Sequence, residues 1–247
     1  MKRTSKTIVF FIAIFTLFGI APGNAATQYV WDANTLVLDH FNDSTTASYV
    51  GGSPTYVDSA PGLYRAIKFT QGTFAMYGLP AWDSSSGGTV EAWVTPITTG
   101  QGGQNYATFQ WLNTTTQPQG GYVGSLYQLP TTGKFTWGAW ATGELTSNRT
   151  IPLNQRSHVA LTWGPTGTDF YVNGQLDAHT DTNAYPIGPM YLYINAWGNE
   201  TGSFVMDELR ISNIARTEFT TVPLPPTVLL LGSGLLGLVG LRRFRKV

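Results

Sequence analysis

The chain has 247 residues, no cysteine, and 14 basic residues balanced by 14 acidic ones, so its formal net charge is zero. A disulfide framework is excluded, and stability has to come from a packed core, with or without a metal. Much of the positive charge sits at the two ends, leaving no basic stripe in the middle to neutralise phosphates, which argues against a nucleic-acid partner.

The first element in chain order is an export signal. Lys2, Arg3 and Lys6 precede the apolar run Ile8–Ile20, which leads into Pro22 and the small-residue stretch Gly23-Asn24-Ala25-Ala26. A basic start, a short apolar core and a small-x-Ala site form a secretory signal peptide over residues 1–25. Cleavage after Ala25 puts Gly23 and Ala25 at the two small-residue positions. The apolar run is shorter than the roughly 20 residues of a membrane span.

Residues 26–221 follow as one domain. Short apolar or alternating runs recur, separated by Gly, Pro, Asn and Ser: Thr35–Phe41, Leu63–Phe69, Thr73–Tyr77, Gly88–Thr95, Tyr106–Trp111, Tyr122–Gln128, Lys134–Trp140, Ser157–Trp163, Asp169–Asn173, Met190–Trp197 and Ser203–Ile211. No useful helical period appears among them. Many short strands with turn signals between them predict an all-β antiparallel sandwich or barrel. Asn173-Gly174 suits a type I′ hairpin turn, whose two central residues need positive φ. Ser157–Trp163 is expected to pair with the next strand across a turn at Gly164–Thr168.

The last element is residues 222–247. Val222, Pro223, Pro225 and Pro226 form a stiff entry, Val228–Leu241 is an uncharged stretch rich in Gly and Leu, and Arg242, Arg243, Arg245 and Lys246 follow. By the positive-inside rule the basic end stays cytoplasmic, with 228–241 in the inner membrane as a hydrophobic helix and residues 26–221 outside. This tripartite arrangement closely resembles the PEP-CTERM sorting signal of Gram-negative bacteria. The resemblance implies an exosortase-type processing enzyme as partner, with Val222, Pro223, Pro225, Arg242 and Arg243 in the signal. Leu224 stands where that family has Glu. Localisation would then be an inner-membrane intermediate followed by the cell surface or extracellular matrix.

Three blocks in order carry a second likeness. They are Gly88-Thr89-Val90-Glu91-Ala92-Trp93-Val94-Thr95-Pro96, then His158-Val159-Ala160-Leu161-Thr162-Trp163 with Phe170-Tyr171-Val172-Asn173-Gly174, then Gly202–Ser212 with Ala215-Arg216-Thr217. Together they resemble the laminin-G-like jelly roll of the concanavalin A-like lectin/glucanase superfamily. The resemblance implies two antiparallel sheets packed face to face, in agreement with the strand pattern.

Some relatives on that fold are glucanases with carboxylates alternating along one strand. Here Glu91 stands alone, and Asp207 and Glu208 are adjacent, so in a regular strand they point to opposite faces and do not flank one glycosidic bond. The expectation is a protein that is not an enzyme. His158 is expected to pack or hydrogen-bond locally, and His40 beside Asp39 and Asp43 to be structural. The resemblance also allows a structural calcium ion, for which Asp43 and Asp207 are the candidate ligands, with Asp207 pairing Arg210 as the plainer reading.

Carbohydrate binding rests on aromatic rings that take the apolar faces of sugars. Strand alternation puts Tyr191, Tyr193, Asn195 and Trp197 on one face, with Leu192, Ile194 and Ala196 toward the core. Phe135 and Trp137 share another face. The first set is the candidate platform for an exopolysaccharide, although rings of this kind also fill cores. The competing reading is a surface scaffold that contacts proteins through loops and edges and has no glycan site; a glycoside hydrolase comes third.

Overall fold

The computed structural model describes residues 28–61, 63–98, 106–112, 122–129, 132–139, 143–182, 191–195 and 202–219. The expected export signal at 1–25, the tail at 222–247 with its expected hydrophobic helix, Trp140 and Trp197 lie outside the described residues. The described residues form fifteen strands and no helix: β1 Thr35–Asp39, β2 Tyr49–Gly51, β3 Thr55–Asp58, β4 Arg65–Phe69, β5 Phe74–Gly78, β6 Gly88–Thr98, β7 Tyr106–Leu112, β8 Tyr122–Gln128, β9 Lys134–Ala139, β10 Gly143–Thr150, β11 Ser157–Gly164, β12 Gly167–Val172, β13 Gln175–Thr180, β14 Tyr191–Ile194 and β15 Ser203–Ser212.

Two antiparallel sheets result. The first runs β13-β12-β11-β6-β15-β4-β3, and β1 also pairs with β15; the second runs β10-β9-β8-β7-β14-β5-β2. Alternation sets what each strand buries. Val90, Ala92 and Val94 of β6, Val159, Leu161 and Trp163 of β11, and Ile67 and Phe69 of β4 enter the shared core. From the second sheet Ala75, Tyr77, Phe109, Leu126, Phe135, Trp137, Leu192 and Ile194 meet them. Phe135 and Trp137 are thus core residues.

The hairpin read from the sequence forms between β12 and β13: Val172 pairs with Gln175, with φ of 51° at Asn173 and 73° at Gly174. Asn173 also accepts a bond from the His158 backbone N–H through its side chain, at 2.9 Å. Gly88 has a different task. A Cβ there would fall 2.2 Å from the Trp163 ring, so the glycine admits the indole. The Trp163 Nε1–H in turn donates to the Ser84 carbonyl at 3.0 Å.

β2, β3, β10 and β13 were not separate elements in the sequence pattern. They lie at or next to sheet edges, where one flank of the strand is solvated and the apolar alternation is weak.

Candidate functional site

β15 organises the outer face of the first sheet, the face turned away from the core. Its register against β6 slips between Asp207 and Arg210, and Glu208 sits at φ 52°. This is a β-bulge, which puts two residues opposite one and re-aims a side chain. Met206 and Leu209 point into the core on either side of it. Asp207 and Glu208 therefore both face outward. The expectation from regular alternation, opposite faces, is corrected by the bulge.

The two carboxylates have different surroundings. Glu208 is fully buried, accepts from the Tyr29 backbone N–H at 2.6 Å, and meets His40 Nδ1 at 2.9 Å. Burial, opposed by those bonds, raises its pKa, and the Asp207 charge adds to the rise. Asp207 accepts from the Ser59 hydroxyl and has Arg156 Nη2 at 3.6 Å. Burial raises its pKa too, against the pull of Ser59 and Arg156.

Glu91, alone in the sequence, is the centre of a buried network. Its Oε2 meets His158 Nε2 at 3.0 Å, and its Oε1 takes Arg210 Nε at 2.7 Å and Nη2 at 2.6 Å. Burial alone would raise the Glu91 pKa, but His158 and Arg210 outweigh it and hold it below its ordinary value. Arg210 thus belongs to Glu91 rather than to Asp207. The Arg210 guanidinium lies over the Tyr29 ring at 4.4 Å, and Tyr29 and Phe219 both pack on the His158 ring. Segments from both ends of the described chain therefore cover this face.

The calcium pair does not fit these surroundings. Asp43 Oδ1 is held by Arg65 Nε at 2.9 Å, and Asp207 is paired with Arg156. A guanidinium beside each carboxylate opposes a divalent cation. Among the described residues no group of three or more His, Asp or Glu side chains is arranged to hold a metal.

The second sheet carries the aromatic residues. Leu192 and Ile194 enter the core as alternation requires, and Tyr193 packs on the outer face with Phe74, Met76 and Tyr191, apart from the main core. In register, Tyr49, Met76, Tyr193 and Gln110 lie side by side across β2, β5, β14 and β7. The Phe74 ring sits 5.7 Å from that of Tyr49 and 6.2 Å from that of Tyr193. Gly51 makes this possible, since a Cβ there would lie 2.0 Å from the Phe74 ring.

Exposure along the band is uneven. Tyr49 is 56% exposed, Phe74 and Tyr191 are half-buried, and Tyr193 is buried. Asn195 is buried as well. Its Nδ2 donates to the carbonyls of Thr70 at 2.9 Å and Thr73 at 2.7 Å, so it clasps the turn before β5 instead of facing solvent. Beside Gly78, at the Tyr191 end of the band, a cavity of about 240 Å³ opens against the exposed Trp31, with Thr46, Ser48 and Tyr77 in its walls. Tyr49, Phe74 and Trp31 lay outside the sequence reading because their neighbours come from β2 and the N-terminal segment, elements with no strong pattern.

A family model of laminin G type, described as the concanavalin A-like lectin/glucanases superfamily, matches residues 74–219, more than half of the chain. The chain belongs to the concanavalin A-like lectin/glucanase superfamily. Its fold also resembles that of several solved structures. The botulinum neurotoxin serotype D ligand binding domain in complex with N-acetylneuraminic acid aligns with a TM-score of 0.57 at 12% identity, over 74% of this chain and 48% of that one. The receptor binding domain of the botulinum neurotoxin C/D mosaic serotype aligns at 0.56 and 11%, over 81% and 51%. The Trypanosoma rangeli sialidase aligns at 0.53 and 13%, over 76% and 32%. The chain spans about half the length of these toxin domains, and such identities show a common fold alone. No curated protein sequence matches the chain significantly.

Proposed function

We propose that this superfamily member is an exported, non-catalytic carbohydrate-binding protein of a bacterial cell surface, with an exopolysaccharide as its ligand. The observation that carries the reading is the aromatic band on the outer face of the second sheet, in which the exposed Tyr49 and the half-buried Phe74 and Tyr191 are the accessible rings, Tyr193 is the buried ring packed against Phe74, and the Trp31 cavity lies at the Tyr191 end. Flat rings in series offer apolar contact to successive sugar units, and the cavity's hydroxyls offer hydrogen bonds. Of the four residues expected from the β14 alternation, Tyr191 is half-buried at the surface, Tyr193 and Asn195 are buried beneath it, and Trp197 lies outside the described residues. That one toxin domain of the same fold is seen in complex with N-acetylneuraminic acid supports the ligand class by analogy.

Catalysis is disfavoured by the state of the buried carboxylates. Glu91 and Glu208 have no exposure, and their oxygens are already engaged by His158, Arg210, Tyr29 and His40. Export through residues 1–25 and sorting through 222–247, with an exosortase-type partner, complete the proposal.

The test is a glycan array and exopolysaccharide pull-down with the full chain and with Phe74→Ala. Retention that depends on Phe74 is expected. Equal retention of both forms, or none, removes the glycan reading and favours the protein scaffold. Fractionation of a tagged chain with and without residues 222–247 tests the sorting role; identical partitioning overturns it.

A further inference from the structure

A second cavity, of about 200 Å³, lies on the outer face of the first sheet over β4, β15 and β6. Ala66 and Val205 form an apolar floor, and Ser59 and Ala60 of the β3–β4 connection form one wall. Trp93 forms the other, its indole face covered by the Arg156 guanidinium at 3.9 Å. Asp207 faces in beside Arg156, with its side chain 97% buried (3% relative exposure). The Arg156–Asp207 separation of 3.6 Å is longer than a hydrogen bond, and Arg156 Nη2 and Asp207 Oδ1 find no hydrogen-bond partner in the protein. Buried polar groups are normally satisfied, so a donor and an acceptor left over side by side need an explanation.

Charge narrows the ligand. Arg156 opposes a bare cation and Asp207 opposes a carboxylate or phosphate. What the pair can satisfy is an uncharged group with adjacent donor and acceptor, and the apolar floor asks for a C–H face beside it. A sugar ring with vicinal hydroxyls has both. The volume is below the roughly 300–1,000 Å³ of pockets for larger ligands, which limits the site to one ring. We propose that this cavity is a binding site for a single neutral hexose unit, one hydroxyl donating to Asp207 and its neighbour accepting from Arg156. It lies on the opposite side of the sandwich from the aromatic band and stands independently of it.

The test is saturation-transfer NMR on the full chain, held in a detergent without a sugar headgroup, titrated with glucose, galactose, mannose and glucuronate. At least one neutral hexose is expected to bind with a dissociation constant on the order of 1 mM, and glucuronate more weakly than glucose. Ala66→Leu, which fills the floor, and Asp207→Asn, which keeps the shape, should each weaken binding at least about tenfold. Phe74→Ala should leave it unchanged. Near-UV circular dichroism confirms the fold of each variant; if Ala66→Leu does not fold, Asp207→Asn decides. Absence of saturable hexose binding, glucuronate binding more tightly than glucose, or unchanged affinity in the folded variants overturns the proposal.

Discussion

Glu91 and His158 meet as diagonal neighbours across β6 and β11, with Oε2 and Nε2 3.0 Å apart and neither side chain reaching solvent. Arg210 binds the other Glu91 oxygen, so one carboxylate joins three adjacent strands of the first sheet. Removing its charge leaves Arg210 buried without its anion. Glu91→Gln is expected to lose about 3 kcal/mol of stability, read by urea unfolding, because breaking a buried pair leaves an uncompensated charge. A loss below about 1 kcal/mol would show that the network is not a structural keystone.

A second prediction concerns the core wall at Gly88. Gly88→Ala places a methyl group inside the Trp163 ring's position and should cost about 1–3 kcal/mol through overpacking. Trp163 fluorescence should shift with it, since the indole must move from its bond to Ser84. An unchanged midpoint and spectrum would contradict the packing described.

A third concerns the β12–β13 turn. Asn173 and Gly174 both have positive φ, and β-branched residues tolerate that conformation poorly. Gly174→Val should destabilise by more than about 1 kcal/mol and by more than Asn173→Gly, which introduces no backbone strain and loses only the bond from the His158 N–H. Thermal melts of the two variants check the ordering.

Acid stability tests the join between the two ends of the domain. Asp32 accepts two bonds from Arg216 Nη2, at 2.8 and 2.7 Å. Burial works against its ionised form, but hydrogen bonds from Thr35 and Arg216 win and lower its pKa from 3.8 to about 2. A depressed folded pKa gives stability that is present above the unfolded value and lost as pH falls through the folded one. Wild type should therefore melt above Asp32→Asn at pH values over 3.8, with the gap closing as pH falls toward about 2. Asp207 and Glu208 act in the opposite sense: with raised folded pKa values, they relieve their burial penalty as pH falls toward the unfolded range. A gap that is independent of pH would contradict the Asp32 assignment.

The fold was legible wherever one face of a strand is apolar. β4, β6, β8, β11 and β15 stand within a few residues of their sequence bounds, and the Asn173-Gly174 turn followed from φ requirements alone. Edge strands such as β3 and β13 were not, because half of their environment is solvent. The site was less legible for two physical reasons. Alternation predicts faces only while the register is regular, and the bulge at Glu208 breaks it. Alternation also says nothing of what covers a face: Asn195 leaves the open platform for Thr70 and Thr73, and Arg156 arrives beside Asp207 from outside any strand. The aromatic period along β14 put Tyr191 and Tyr193 on one face, but Tyr49 and Phe74 join that face only through pairing of β2 with β5 and β5 with β14, and Trp31 only through the cavity it walls.

The most direct measurement is calorimetric titration of purified exopolysaccharide into the full chain and into a Tyr49→Ala/Phe74→Ala double variant. Saturable binding by the wild type is expected, with at least about a tenfold weaker affinity in the variant, equivalent to about 1.4 kcal/mol, and its melting behaviour retained. Equal affinity in both proteins, or no heat with the wild type, would contradict the aromatic band as the glycan site.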